Sequence, residues 1–570
     1  MPGKSGPEAG QFRAKSGTMI GNYHRAAMST NEPLSTPFAG LLDGIYDCVD
    51  RVILTAYFLF GCGAGGFRLW WRTLTGSDDT LDNNHLMRMA GRFSRRVRGW
   101  AKANGIPVID CAAKVRKHEI AEQYLPTDPQ RTGIFLVLVN RAKASIWDVR
   151  RYGRGGIDLR RKQAYVNYYT FHIWDAEWGH VAIRMCGHPP FSAMVMLNGH
   201  EYVASLATRQ GVRFGKEENC FTELADAPGL QQVADTLRSE DAIGRLMQVG
   251  ERWLNRCLCF ALDSDDQKRT GFRYALSIYQ LEYSRNFLFK SGRALDQSFE
   301  GLIDRTRSTL DIKTVKTILG CKQRPQRKGK TRWEITVETP EYGLTIFKIH
   351  AGALTIKMYS KGERVLRCEV IVHNARKLKQ GNGLARWVAV VTHLNELLDR
   401  FLEVVQCVDS AAIDDGTWDE LPKPAYVGAS RVAGIHLSQA RLGVVLESVL
   451  ALSTQPNGFT SGELAAQVGQ RLGVQKEEYQ ARQAAYDLKK LRGKNLVAKT
   501  GSSRRYEAPP DGLRTMTALL VLRDKVFKPV LSHRNTQGRR PPKYGSPLDH
   551  HYHNLRQEMR KLFQTLRIGA

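Results

Sequence analysis

The stretch 438–508 constrains the chain most tightly, because it carries helix, turn and strand signals in a fixed order. Leu437-Ser-Gln-Ala-Arg-Leu-Gly-Val-Val-Leu-Glu-Ser-Val-Leu-Ala-Leu452 spaces its apolar residues as a helix does. The turn Gln455-Pro-Asn-Gly458 leads into Thr460-Ser-Gly-Glu463. A Thr followed three residues later by Glu satisfies backbone amides left free at a helix start, so a helix is expected to begin there. The spacing predicts a short helix over Gly462–Leu472 and a longer one over Gln475–Leu491. In Ala485-Tyr-Asp-Leu-Lys-Lys-Leu-Arg-Gly-Lys-Asn-Leu-Val497, Leu488, Leu491 and Leu496 fall inward, while Lys489, Lys490, Arg492 and Lys494 point out. Leu496-Val-Ala-Lys-Thr-Gly-Ser-Ser-Arg-Arg-Tyr506 then reads as two strands around a Gly-Ser-Ser tip.

This order of elements resembles MarR-like and related winged-helix domains. The resemblance covers about an eighth of the chain and rests on element order. It implies a helix in a DNA groove and a basic wing on the neighbouring phosphates. On that reading Lys489, Lys490, Arg492, Lys494, Arg504 and Arg505 contact double-stranded DNA. Protein contact through the same unit is the alternative.

Composition supports a polyanionic partner. Lys and Arg number 84 against 56 Asp and Glu, a net charge of +28. The chain's 570 residues exceed a single core, so several domains are expected. The ten cysteines include no Cys-x-x-Cys pair, which argues against a zinc ribbon or a redox pair. Lone cysteines in apolar settings suit a reducing compartment. The strongly apolar stretch Val52–Gly66 is too short to span a bilayer. No signal peptide or membrane contact is expected, and a cytoplasmic location is.

The fold class read from the pattern is α+β and multidomain, with mixed α/β N-terminal and central regions, antiparallel sheets and a C-terminal winged helix-turn-helix. Residues 1–38 are expected to be disordered. Residues 41–225 read as an α/β domain with an antiparallel sheet, and 226–320 as helical, including Gly271–Lys290. Residues 330–408 read as β-rich with a closing helix, and 409–436 as an acidic linker. The winged-helix region is drawn as 437–526 and a basic tail with a terminal amphipathic helix as 527–570. Within the first region, Leu81–Asn104 is a helix whose outer face carries Arg92, Arg95 and Arg96, further candidates for nucleic-acid contact. Two strands, Ile134–Asn140 and Ser145–Arg151, are expected to flank Arg141-Ala-Lys. Gly61-Cys-Gly-Ala-Gly-Gly66 lacks a P-loop ending and reads as a hinge.

Ligand-type residues are densest over 172–201, which holds His172, Asp175, Glu177, His180, His188, His200 and Glu201. Antiparallel strands joined at Asp175–Gly179 would bring His172 and His180 together. Histidines with a carboxylate suit a divalent ion, Mg²⁺ or Mn²⁺, that positions a phosphate or activates water. His172, His180 and His188 are then metal-ligand candidates, with Asp175 and Glu201 as catalytic carboxylates. The segment also resembles the opening of an RNase-H-like nuclease, which implies Asp175 and Glu201 as metal ligands. Neither His-Glu-x-x-His nor the zinc-deaminase signature is present. With no recognised spacing, structural histidines and no cofactor are the alternative.

Tyr279 and Tyr283 stand four apart in Arg273–Arg285, the spacing of one helix face. Replication relaxases of the HUH class use helix-borne tyrosines to attack a DNA phosphate. Thr355-Ile-Lys-Met-Tyr-Ser-Lys-Gly-Glu-Arg-Val-Leu-Arg-Cys-Glu-Val370 resembles the Lys-x-Tyr-x-Lys … Leu-Arg-x-Glu strand pair of filamentous-phage and plasmid replication initiators. That resemblance spans about twenty residues and implies phosphate contact by Lys357 and Lys361. No His-hydrophobe-His motif lies within that stretch. The aromatic strand Tyr165–Trp174 has the composition to stack bases, so single-stranded nucleic acid or RNA is a second partner class. The resulting expectation is a DNA-binding protein of replication or mobile-element type, with metal-dependent nuclease or nicking chemistry left open. The alternative is a non-enzymatic winged-helix regulator with a large sensory or dimerisation region, for which a homodimer is one form.

Overall fold

A computed structural model describes residues 34–299, 334–338, 346–523 and part of 550–561. Short gaps fall at 113–114, 129–130, 154–155, 352, 379–380, 411–412, 414, 437–438, 456 and 474–478. The N-terminal segment expected to be disordered, the basic loop after 320 and most of the C-terminal tail lie outside the described residues.

The fold is mixed α and β, built on one eleven-stranded sheet. Its strands are β1 (Leu42–Phe58), β2 (Val108–Asp110), β3 (Gly133–Tyr152), β4 (Gly156–Asp175), β5 (Gly179–Cys186) and β6 (Ala193–Asn198). After the separate hairpin of β7 (Phe214–Glu217) and β8 (Cys220–Leu224) come β9 (Tyr274–Phe289), β10 (Glu334–Glu338), β11 (Ile346–Ala351), β12 (Leu354–Lys361) and β13 (Val365–Val372). The order is β10-β11-β12-β13-β9-β1-β6-β5-β4-β3-β2, antiparallel except for β2 beside β3. Strands from three sequence regions therefore share one sheet, and β1 with β9 forms its centre.

One face of the sheet is apolar and covered by helices. Register places Val52, Leu197, Val195, Ile183 and Phe171 on it. Against it lie α1 (Ala64–Thr75), α2 (Asn83–Ala103), α5 (Asp241–Leu258) and α6 (Trp387–Asp409), several of them reaching it through buried aromatics, while α3 (Gly199–Arg209) and α4 (Ala227–Asp235) run beside β1. Phe93 of α2 meets Tyr169 edge-on at 4.9 Å, and Phe171 stacks on Phe260. Gly199 starts α3 where a Cβ would overlap the Val49 carbonyl, so the helix presses directly on β1.

Within this apolar layer, between the two central strands, sits a charged pair. Asp47 of β1 lies directly opposite Arg285 of β9. Arg285 donates through Nε and Nη2 to the two carboxylate oxygens, each at 2.8 Å, and Tyr283 donates its hydroxyl to Asp47 at 2.9 Å. Arg285 also reaches Asp399 of α6 at 2.6 Å. The Arg285 guanidinium holds the Asp47 carboxyl below its usual range against the opposing effect of burial.

Several elements differ from the pattern. Gly271–Lys290 is not helical: Tyr274–Phe289 is the sixteen-residue strand β9, so Tyr279 and Tyr283 are strand residues. Tyr279 sits at a register shift and is partly exposed; Tyr283 is fully buried against Asp47. The two strands expected around Arg141-Ala-Lys are one continuous strand. Gly61–Gly66 forms a short 3-10 turn and the start of α1, where a Cβ on Gly66 would overlap the Phe60 carbonyl; it is a packed corner.

The acidic 409–436 segment is also packed. It holds a turn of helix at Asp415–Glu420 and a hairpin of β14 (Ala425–Val427) and β15 (Ser430–Val432). Leu421 is buried, and Gly434 sits where a Cβ would overlap the Pro422 carbonyl. Beyond it come α7 (Ala440–Ser453), β16 (Phe459–Thr460), α8 (Ser461–Leu472), α9 (Ala481–Arg492), β17 (Ala498–Lys499), β18 (Arg505–Glu507) and α10 (Pro510–Val521). The three short strands form an antiparallel sheet in the order β16-β18-β17. α10 packs on α6, and Arg400 of α6 donates to the Ala508 carbonyl, which joins this unit to the body.

Replacing Arg285 by Met leaves Asp47 charged and buried, and should cost about 3–5 kcal/mol of stability. Adding Asp47→Leu removes that uncompensated charge and should recover much of the loss. Urea unfolding of the single and double variants measures both; equal losses would show that the pair is not the source.

Candidate functional site

The second face of the sheet carries the polar groups. Two neighbouring rungs run across β12, β13, β9 and β1: Lys357, Glu369, Ser284, Cys48 and Tyr359, Arg367, Asn286, Tyr46. Side chains paired across strands share a face, so register alone assembles this cluster. Arg367 is fully buried and donates to Asn286 Oδ1 at 2.8 Å, to Asp50 at 3.1 Å and to the Asn219 carbonyl. Its Nη2 also lies 3.3 Å from His200 Nε2. A guanidinium only donates, so His200 Nε2 accepts and the ring proton sits on Nδ1, which faces Asp50 at 3.3 Å. His200 and Arg367 together hold the Asp50 carboxyl far below its usual range, although burial opposes them.

Glu369 accepts from Lys357 at 2.7 Å and Tyr359 at 3.0 Å. Glu282, bonded to Gln280, is pushed up to about 7 by burial and by the negative charges of Asp50 and Glu369. Lys357, Tyr359 and Glu282 are half-buried and form the accessible rim of the cluster. A carboxyl that titrates near neutrality has the chemistry of a proton carrier. Asp50 and Glu282 carried no sequence motif, and Arg367 stood only as the Arg of the Leu-Arg-x-Glu stretch; strand register unites the three.

The residues of 172–201 do not converge. His172 Nδ1 and His180 Nε2 are 2.9 Å apart, brought together as diagonal neighbours on β4 and β5. Asp175 is buried on its own: it accepts from the amides of Glu177 and Trp178, from Trp253 Nε1 at 2.7 Å and from Arg252 at 3.0 Å. It anchors the β4–β5 turn to α5 and has no free oxygen to offer an ion. Glu201 is paired with Lys216 at 2.7 Å, and His188 bonds to the Pro189 carbonyl in the β5–β6 turn. Among the described residues no group of three His, Cys, Asp or Glu side chains is arranged to hold a metal ion.

The basic candidates divide into exposed and engaged. Arg92, Arg95 and Arg96 are exposed on α2. Lys357 is paired with Glu369, and Lys361 with Glu218 at 3.1 Å. Lys490 was expected to face out; it is only 8 % exposed and lies over the Tyr486 ring. Gly493 packs against Ala425 and Val432, and Lys494 donates to the Glu420 carbonyl. The 415–432 segment therefore covers the C-terminal end of α9. Arg492 is half-buried, and Arg505 bonds to the Gly458 carbonyl at 3.2 Å. What α9 leaves open is a stripe of Arg482, Tyr486 and half-buried Lys489, with exposed Lys499 and Arg504 on the adjoining hairpin. Arg482 and Lys499 were missed by the sequence reading; the spacing 482, 486, 489, opposite Ala484, Leu488 and Leu491, is the signal that finds the helix face.

Burial, with the positive charges of His180 and Lys117, pushes His172 down to about 3. An unfolded histidine titrates near about 6.5, so the unfolded chain binds the extra proton between these values. The stability from a neutral His172 is thus full above about 6.5 and is lost as pH falls towards about 3. Thermal melts at pH 7 and pH 4 should show a smaller acid loss for His172→Gln than for the parent; identical losses would contradict the assignment.

No protein-family model, curated protein or solved structure matches the chain. Among the described residues no helix is long and apolar enough to cross a membrane.

Proposed function

We propose that this is a DNA-binding protein of replication or mobile-element type, in which residues 438–508 act as a winged helix on duplex DNA. The observation that carries the reading is the succession α7, β16, α8, α9 and the β17–β18 hairpin, with α9 and the hairpin exposing basic residues on adjoining surfaces. Thr460 and Glu463 close the reciprocal cap that starts α8. Buried Asp487, bonded to Tyr479 and Arg441, ties α9 to α7. The N-terminal half of a recognition helix is the part that reaches base edges. Here that half carries Arg482 and Tyr486, while the C-terminal end is covered. Lys489, Lys499 and Arg504 are suited to phosphate contact.

The replication-type assignment draws on the pairing of β12 with β13. Lys357 faces Glu369 and Tyr359 faces Arg367, so the two halves of the initiator-like motif are cross-strand neighbours. A strand-cleaving activity is the second reading, and Glu282, half-buried on the polar face and held near neutrality by burial with Asp50 and Glu369, is the observation that favours it. Tyr283, enclosed by Asp47 and Arg238, is poorly placed to attack a phosphate.

Each phosphate contact releases counterions, so log Kd changes with log[salt] by about 0.9 per contact. Replacing Arg482, Lys489, Lys499 and Arg504 by Ala should weaken duplex binding and flatten that dependence, whereas Lys490→Ala should leave the slope unchanged. Fluorescence anisotropy across a salt series distinguishes these; an unaltered slope in the fourfold variant would refute docking through this surface. For the cleavage reading, Glu282→Gln should abolish any Mn²⁺-dependent nicking of supercoiled DNA. Activity undiminished in that variant would remove Glu282 from the chemistry.

A further inference from the structure

β3 and β4 pair along their whole length, from Gly133 opposite Trp174 to Tyr152 opposite Gly156. β5 accompanies β4 only as far as Tyr168, and β2 accompanies β3 only as far as Asp110 opposite Val139. Residues 140–152 and 156–167 therefore leave the sheet as a two-stranded ribbon, about 40 Å long at the usual rise per residue. The ribbon is held rigidly. Trp147 donates to the Gly61 carbonyl at 3.1 Å, and the Arg161 guanidinium stacks on Trp147 at 3.8 Å. Asn83, at the start of α2, bonds both the amide and the carbonyl of Val149.

Its two faces differ in charge. One carries Asp148 and Asp158, neutralised by Arg150, Lys162 and Arg160. The other carries Arg141, Lys143, Arg151, Arg161 and Tyr165 with no carboxylate, by the alternation of the strands. This acid-free face is the one on which α2 packs further along, since Tyr169 continues it and meets Phe93. α2 presents Arg88, Arg92, Arg95 and Arg96 to solvent, none paired with a carboxylate among the described residues. Tyr165 is 60 % exposed, with Lys143 Nζ 5.6 Å from its ring centre. Arg151 and Arg161 are spent on backbone carbonyls of the body, but an exposed ring beside Arg141 and Lys143, which no carboxylate neutralises, offers stacking to an unpaired base and charge to its backbone.

We propose that the acid-free face of the β3–β4 ribbon, together with the arginine row of α2, binds single-stranded DNA, with Tyr165 stacking a base and Arg141, Lys143, Arg92 and Arg95 tracking the phosphates. The choice of DNA over RNA rests on the duplex-DNA reading of the C-terminal unit; the single-strand site itself rests on the ribbon. A duplex keeps its bases stacked internally and gives Tyr165 no partner.

The full-length chain is titrated with labelled oligo(dT) of about 20 nucleotides, oligo(U) of equal length and a duplex. Tyr165→Ala should weaken oligo(dT) binding about tenfold and leave duplex affinity unchanged, while Tyr165→Trp retains binding. Arg92→Ala with Lys143→Ala should lower the salt dependence for oligo(dT) by about 0.7 per phosphate lost. Arg482→Ala with Arg504→Ala should do the reverse, weakening duplex and sparing oligo(dT). Because the Tyr165 ring is exposed, its Ala variant should melt with the parent. Unchanged oligo(dT) affinity in Tyr165→Ala, or an equal loss on duplex, overturns the site; tighter binding of oligo(U) overturns the assignment to DNA. Loss on oligo(dT) with a duplex insensitive to Arg482 and Arg504 would leave the ribbon site standing and remove the winged-helix reading.

Discussion

The cross-strand contact between Asp47 and Arg285 sits at the centre of the molecule. It joins the two middle strands of the sheet on the face where helices pack, and through Asp399 it reaches α6. A charged pair in an apolar layer is a weak source of stability and a strong constraint on geometry. Sliding β9 against β1 by one residue would turn Arg285 away from Asp47 and bury it unpaired among the polar groups of the other face. The same slip would scatter the rungs that assemble Asp50, Asn286, Arg367 and Glu369. One register therefore satisfies the buried charges on both sides of the sheet at once.

The two faces divide the work of the sheet. The helical face is filled by aromatic and aliphatic side chains and excludes water. The other collects hydrogen-bonded charges, deepest at Arg367 and most accessible at Lys357, Tyr359 and Glu282. Burial and neighbouring acids make Glu282 hold its proton to near neutrality, while Asp50, between two cationic or donor groups, gives its proton up readily. Carboxyls of opposite behaviour within one cluster come from local surroundings alone.

Much of the helical and strand content was legible in the sequence, including α2, the β4–β5 turn and the reciprocal cap of α8. The failures have physical causes. β9 is buried on both faces and broken by register shifts near Tyr279, so its strict alternation is lost and its four-residue tyrosine spacing imitates a helix. Arg141-Ala-Lys143 looked like a turn because its charges face solvent, which they do because the ribbon has left the sheet there. Lys490 looked exposed because the hairpin that covers the end of α9 comes from about sixty residues earlier. The proximity of His172 and His180 followed from a short turn, whereas the isolation of Asp175 depends on Arg252 and Trp253 of a distant helix. Local patterns predict local neighbours; the polar cluster required pairing between strands hundreds of residues apart.

The long helix α6 touches both halves of the chain. Asp399 meets the central strand pair, while the next residue, Arg400, holds the Ala508 carbonyl, and α10 lies alongside. A 23-residue helix of this kind is a stiff beam about 35 Å long. A load applied to the C-terminal unit does not stop at a slack tether. It is delivered as torque to the rung where Asp47 and Arg285 face each other.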